Sequence, residues 1–273
     1  MKRLVFAFAA VFATCAMAQV YPSKPITFII PFAAGGDSDL SGRNVAVHAS
    51  KYLNGQPIVS VNRTGASGAI GAMAVKNAAP DGYTLLVARI ATHAILPALD
   101  SRLQYKWNEF TMLSLIELNP YVCFVKGDSA FRNAADLMNE IRRNPGKLNF
   151  STAGAGTSQN MAAQYLLTLA GLTKDHAVGI HYKGGGEVTA AVLGGQVNFA
   201  CNNAPTVIAQ VKAGALRALF VTPSRLAKDP DWQQGNARLG GIAAIRSPAE
   251  SEQFMREQYE LYDKLITGLG IRQ

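Results

Sequence analysis

Short apolar runs alternate with longer, helix-spaced stretches along most of the chain. Ile26–Ile30 is a run of β-branched and aromatic residues, the composition of a buried strand. Pro31 stops it, because proline has no N–H to donate to a ladder. Gly35-Gly36 lets the backbone turn, Asp37 or Ser38 can cap the next helix, and Leu40, Val45, Val47, Ala49 and Leu53 outline one face of it. The unit recurs. Residues 57–61 predict a strand, 62–68 a glycine-containing loop, 69–78 a helix, and 83–87 a strand after the turn Ala79-Pro80-Asp81-Gly82. Strand-like composition returns over 112–125, where we place a domain crossing. Beyond it the pattern predicts helices over 134–144, 159–170, 187–193 and 205–213. Strands are predicted over 147–150, 179–182, 197–201 and 216–222. Ser247-Pro248-Ala249-Glu250 is a capping box with proline at the first helical position, opening a last helix that ends near Gly268.

Strands alternating with helices of this length predict an α/β protein with parallel-dominated sheets. At least four strands run into glycine-rich or small-residue loops that open helices, two in each half. A helix start presents unpaired N–H groups and a positive dipole end, so such a loop can hold an anion. Each loop alone fits tight βα packing; four together favour a shared site at the carboxyl edges of two facing sheets.

The first eighteen residues obey a different pattern. Lys2-Arg3, the apolar stretch from Leu4 to Thr14, and Ala16-Met17-Ala18 predict a signal peptide over residues 1–18, cleaved after Ala18. Phe12-Ala13-Thr14 ahead of Cys15 is a poor lipobox. The predicted mature chain starts at Gln19 in an oxidising, periplasmic compartment. There Cys123 and Cys201, each inside an apolar strand-like run, have two readings: buried free thiols on neighbouring strands, which the runs favour slightly, or a disulfide.

Composition narrows the function. Apolar residues make up 49% of the 273 and charged residues only 16%, against a usual quarter or so, which argues against disorder. The formal charge of +8 is spread without a basic run, which argues against nucleic acid. G-x-S-x-G, the Walker motif and G-x-G-x-x-G are absent, and no C-x-x-C occurs. His48, His93, His176 and His181 lack metal-ligand spacing; only His181, beside a predicted strand end, is expected near the cleft, as a structural residue. A secreted hydrolase would need a nucleophile or metal site that the sequence does not offer. Binding without chemistry fits better.

Specific motifs now carry a resemblance. They are Pro22-Ser-Lys-Pro25, Ile30-Pro31-Phe32-Ala33-Ala34-Gly35-Gly36 with Asp39, and Asn62-Arg63 with Gly65 and Gly68 to Gly71. Ala79 to Thr84, Asn144 to Asn149, Gly154-x-Gly156-Thr157, His181 to Gly184 and Leu193 to Val197 continue them. Together they resemble the Bug family, the TctC-like substrate-binding proteins of tripartite tricarboxylate transporters, over most of residues 19–225 and again near Asp229. The resemblance implies a two-domain periplasmic-binding-protein architecture (type II, Venus flytrap). Domain 1 would comprise 19–111 and 226–273, and domain 2 residues 112–225. It implies a monomer that captures a small organic carboxylate (a di- or tricarboxylate, acidic amino acid or aromatic acid) and delivers it to a membrane permease, with no catalysis, cofactor or metal. Carried over residue by residue, the ligand contacts are Phe32, Ala33, Ala34, Gly35, Gly36 and Asp39 in one domain. In the other they are Ala153, Gly154, Gly156, Thr157 and Ser158, with Lys183, Asn202 and Asn203 lining the same cleft.

Three substitutions depart from the family pattern: Asn202 for a frequent Asp, Asn160 for His, and Thr64 for Pro. Asn202 removes a negative charge and is expected to favour a more anionic ligand. After about Ala227 a block of several tens of residues is expected to be missing by comparison with ordinary domain sizes. The shortening leaves two alternatives beside transport: a sensor for a membrane signalling partner, and a degraded, non-binding paralogue.

Overall fold

The computed structural model describes residues 20–221, 242–243 and 246–273. The predicted signal peptide and the junction near Ala227 lie outside the described residues. Strand β1 (Ile26–Ile30) runs into helix α1 (Asp37–Ala49), β2 (Ile58–Asn62) into α2 (Ala69–Lys76), and β3 (Thr84–Leu86) into a π-helical turn, Ala91–Ile95, and α3 (Leu96–Leu99). β1 lies between β2 and β3, parallel to both. Ile26, Phe28, Ile30 and Val87 form a small buried cluster on this sheet. For 91–99 the sequence pattern predicts no element, yet the segment is largely buried.

The chain crosses through β4 (Glu117–Leu118) into β5 (Tyr121–Lys126), then α4 (Ala134–Arg143), β6 (Leu148–Thr152), α5 (Ser158–Leu169), β7 (Ala177–His181), α6 (Gly185–Leu193), β8 (Phe199–Asn203), α7 (Ile208–Lys212) and β9 (Leu216–Val221). These strands make a five-stranded sheet in the order β7-β6-β8-β5-β9. β6 is parallel to β7 and β8, whereas β5 is antiparallel to β8 and β9, so this sheet is mixed. That reversal places Tyr121, the first residue of β5, opposite Asn203, the last of β8. Asn133 caps α4 through its side chain, which accepts from Asp136 N–H at 2.9 Å, and Leu137, Met138 and Ile141 bury one stripe of the helix.

The same register sets Cys123 against Cys201, and a disulfide joins them across the β5–β8 pair. The expectation of two free thiols is therefore corrected: neighbouring strands in antiparallel register put the two side chains on one face at pairing distance. The bridge sits in a core with Phe150, Phe199, Leu137 and Leu167.

Helix α8 (Pro248–Leu269) has the predicted capping box, with Ser247 and Glu250 bonding each other's backbone N–H. It continues past Gly268 and ends where Gly270 takes φ +63°, the left-handed conformation that glycine adopts without a Cβ penalty. α8 returns to the first sheet's helices. Ile266 packs with Ile95, Ala98 and Leu99 and also with Met161 of α5, and Met255 packs with Trp107 and Ala94. β10 (Ile242–Ala243) pairs antiparallel with β4.

Candidate functional site

The carboxyl edges of the two large sheets face each other. The carboxyl edge of the first sheet carries the loops after Ile30, Asn62 and Leu86. That of the second carries those after Thr152, His181 and Asn203, together with Tyr121. The loops meet directly. Ala33 N–H donates to Lys183 C=O at 3.0 Å, and Gly156 N–H donates to the Ser67 hydroxyl at 3.1 Å. A Cβ on Gly184 would lie 2.9 Å from Ala33 N and 2.9 Å from Ala33 Cβ, and one on Gly36 would lie 3.2 Å from Gly185 N. Only glycine admits such an approach of two main chains. The arrangement is a closed cleft between the N-terminal ends of α1, α5 and α6.

In the first loop, Asp39 does the positioning. Its carboxylate accepts from Gly35 N–H at 3.0 Å, Arg43 Nε at 2.9 Å and Asn62 Nδ2 at 3.0 Å, and Asn62 Nδ2 also reaches Phe32 C=O at 2.8 Å. Burial pushes the Asp39 carboxyl up, but the hydrogen bonds from Arg43, Gly35 and Asn62 outweigh it and hold it below the usual carboxylate value. Phe32 is buried against Ala91, Ala153 and Ala204. Ala34 and Gly35 are exposed at the loop tip. The cap of α1 is Gly36, not the side chain of Asp37 or Ser38.

Asp37 is instead directed across the cleft. Its Oδ2 accepts from the Arg89 guanidinium and from Asn203 Nδ2, and Arg89 NH1 also donates to Glu117 at 3.2 Å. Side chains from α1, the loop after β3, β4 and the end of β8 thus share one network. Arg89 is 18% exposed and Asp37 7%. Burial pulls the guanidinium's pKa down, but Asp37, Glu117 and Tyr121 outweigh it and raise it above the ordinary value, so Arg89 stays charged. Removing one partner of such a pair typically costs about 3–5 kcal/mol, because the other is left buried and alone.

In the second loop, Gly154 takes φ +129° and turns the chain toward α5. Thr157 caps that helix, accepting from Asn160 N–H at 3.4 Å while its hydroxyl donates to Gly154 C=O at 2.6 Å. Ala153 is buried behind it. The phenols of Tyr121 and Tyr262 lie beside Ser158, and burial raises both above the usual phenol value. Asn202, fully buried, ties three elements together. Its Nδ2 donates to Gly185 C=O at 2.8 Å and Thr189 Oγ1 at 3.0 Å, and its Oδ1 accepts from Asn203 N–H at 2.9 Å and Gln159 Nε2 at 3.3 Å. Lys183 joins the interface through its carbonyl, while its side chain is exposed. His181 is exposed at the end of β7.

The residues singled out from sequence therefore gather at one place, with Asp39 and Asn202 shaping the walls. Arg89, Glu117, Tyr121 and Tyr262 join them without having been foreseen. The place offers helix N-terminal N–H groups, amide and hydroxyl donors and one buried guanidinium. That chemistry can hold a small polar ligand.

Known proteins resemble this chain in sequence and in fold. Residues 42–244 match the family described as the tripartite tricarboxylate transporter family receptor, TctC. A UPF0065 protein of Agrobacterium vitis is 36% identical over 257 residues, spanning 91% of this chain and 72% of its own. Among solved structures, one described as a periplasmic transporter superposes with a TM-score of 0.83 at 27% identity, covering 92% of this chain and 99% of that one. MatC from Rhodopseudomonas palustris, solved with bound malate, shares the fold at a TM-score of 0.81 and 22% identity, covering 90% of this chain and all of its own. The chain belongs to the TctC (Bug) family of tripartite tricarboxylate transporter receptors and is a periplasmic solute-binding protein.

Proposed function

We propose that this protein, exported and cleaved after Ala18, is a monomer that captures one small organic carboxylate between domain 1 (19–111 and 226–273) and domain 2 (112–225) and presents it to the permease of a tripartite tricarboxylate transporter. The ligand class is a di- or tricarboxylate, an acidic amino acid or an aromatic acid. The loops Phe32–Gly36 and Ala153–Ser158 carry the contacts, with Asn203 across the cleft. Asp39 and Asn202 hold those loops in place, and Lys183 contributes its carbonyl to closure.

One observation carries this reading: the N-terminal ends of α1, α5 and α6 converge where the two sheets' loops touch. The malate in R. palustris MatC supports the ligand class. The energetics suffice. Micromolar affinity requires about 8 kcal/mol. Each helix end supplies roughly 0.3–1 kcal/mol, and each hydrogen bond to a charged group about 1.5–3 kcal/mol. Neutral donors also release the ligand when the domains part about their hinge.

The test is thermal unfolding of the chain from Gln19 with a panel of di- and tricarboxylates, acidic amino acids and aromatic acids. A ligand present at a hundredfold its Kd stabilises by about 2.7 kcal/mol, a rise of roughly 5–11 °C for a chain of this size. A cooperative melt raised by one class supports the reading. A melt that no acid moves at millimolar concentration contradicts it.

A further inference from the structure

We propose that Asp37 is the residue that sets ligand charge in this cleft, so that the protein selects a zwitterion, with one carboxylate and one ammonium group, over a multiply charged acid. This rests on the binding site proposed above and goes beyond its ligand classes, to an acid that carries one ammonium beside its one carboxylate.

Charge decides the selection. Asp37, Glu117 and Arg89 form one linked group in the closed cleft, two acids on one base. The neighbouring Asp39 pairs with Arg43 at 2.9 Å, and that pair cancels. Lys183 and Glu187 are exposed, and the phenols of Tyr121 and Tyr262 stay neutral. The linked group of Asp37, Glu117 and Arg89 therefore keeps one net negative charge, while Arg63, in the loop after β2, is exposed. Asp37 also stands in the first turn of α1, where a carboxylate already answers the helix's positive end. A ligand carboxylate at the α1 end therefore has one neighbouring carboxylate, and a second ligand carboxylate there adds to the repulsion. The charge that Asn202 leaves out thus reappears at Asp37, on the opposite wall, joined to Asn203.

A dicarboxylate entering this cleft brings two further negative charges beside Asp37. A zwitterion brings none, and its ammonium can take the place at Asp37 that Asn203 Nδ2 holds here. Its carboxylate is left for Arg89 and the N-terminal ends of α5 and α6. At about 6 Å and an effective dielectric near 20, one unit charge changes an equilibrium by about a hundredfold. Screening and relaxation reduce this to roughly tenfold or more.

The experiment is calorimetric titration of the chain from Gln19 with two matched series. One is succinate, glutarate and adipate; the other is 4-aminobutanoate, 5-aminopentanoate and 6-aminohexanoate. The wild type should bind an amino acid of the second series about tenfold or more tighter than the diacid of the same length. Asp37→Asn should invert that ratio. Glu117→Gln changes the charge equally without touching the Asp37–Asn203 contact, so it keeps the test open if Asp37→Asn does not fold; it should move the ratio the same way. A wild type that prefers the diacids, or a ratio that neither substitution moves, would overturn this inference while leaving carboxylate binding intact. Binding of neither series, together with no response to the wider acid panel, would overturn the binding site itself and this inference with it.

Discussion

Gly184→Ala tests whether function depends on the two main chains meeting. The added Cβ would sit 2.9 Å from Ala33 N and 2.9 Å from Ala33 Cβ, inside the distance that real Cβ atoms keep. The atoms it meets are Ala33's backbone and its Cβ, and neither can swing away. The Gly184 backbone itself is extended, with φ −176° and ψ 169°, so alanine fits the separate loop without strain. The penalty therefore falls on closure. Parting the loops loses the Ala33 N–H···O=C Lys183 bond, worth about 0.5–1.5 kcal/mol, and overpacking adds about 1–3 kcal/mol. Because binding is coupled to closure, affinity should fall at least about tenfold by calorimetry. The ligand-free chain should still melt cooperatively. Gly268→Ala is the control: its Cβ meets nothing within 4 Å, and a helix-interior alanine gains up to about 1 kcal/mol. Undiminished affinity in a folded Gly184→Ala protein would refute the reasoning.

The same structure sets other outcomes. Burial pushes the His93 imidazole down to about 4, against an unfolded value near 6.5, so the folded state binds fewer protons between those pH values. Stability should therefore be full above about pH 6.5 and drop by about 3 kcal/mol as pH falls to about 4, a loss that His93→Gln should flatten in denaturant titrations. Asp39's folded value lies below the unfolded one of about 3.9, so Asp39→Asn should destabilise at pH 7, and the difference should fade below about pH 4 as the wild-type carboxyl protonates. Reducing the Cys123–Cys201 bridge, which spans a sequence separation of 78, should cost about 2–4 kcal/mol in chemical unfolding, and mass analysis before and after reduction should show the bond.

How much of this was legible beforehand depends on which interactions are local. The strand–Gly35-Gly36–helix unit and the Ser247–Glu250 box are read within a few residues, and the structure shows them. Asp37 was readable only as a cap, because its partners stand 52 and 166 positions away. Tyr121 reaches the site because β5 runs against its neighbours, and a strand's direction leaves no mark in its own composition. Arg89 lies just before a π-turn whose buried residues obey neither the strand nor the helix period. Tyr262 arrives on α8, on a face shared with the ordinary core contacts of that helix. Cysteine pairing likewise needed the register, since two apolar strands suit free thiols as well as a bridge.

The central claim, a carboxylate held between the loops at α1 and α5, is tested most directly by hydrogen–deuterium exchange with and without an acid that raises the melting temperature. Binding there should slow exchange in peptides covering residues 32–39, 153–160 and 183–188 and leave the far ends of β6 and β9 unchanged. Protection confined to other segments, or none at saturating ligand, would contradict the account.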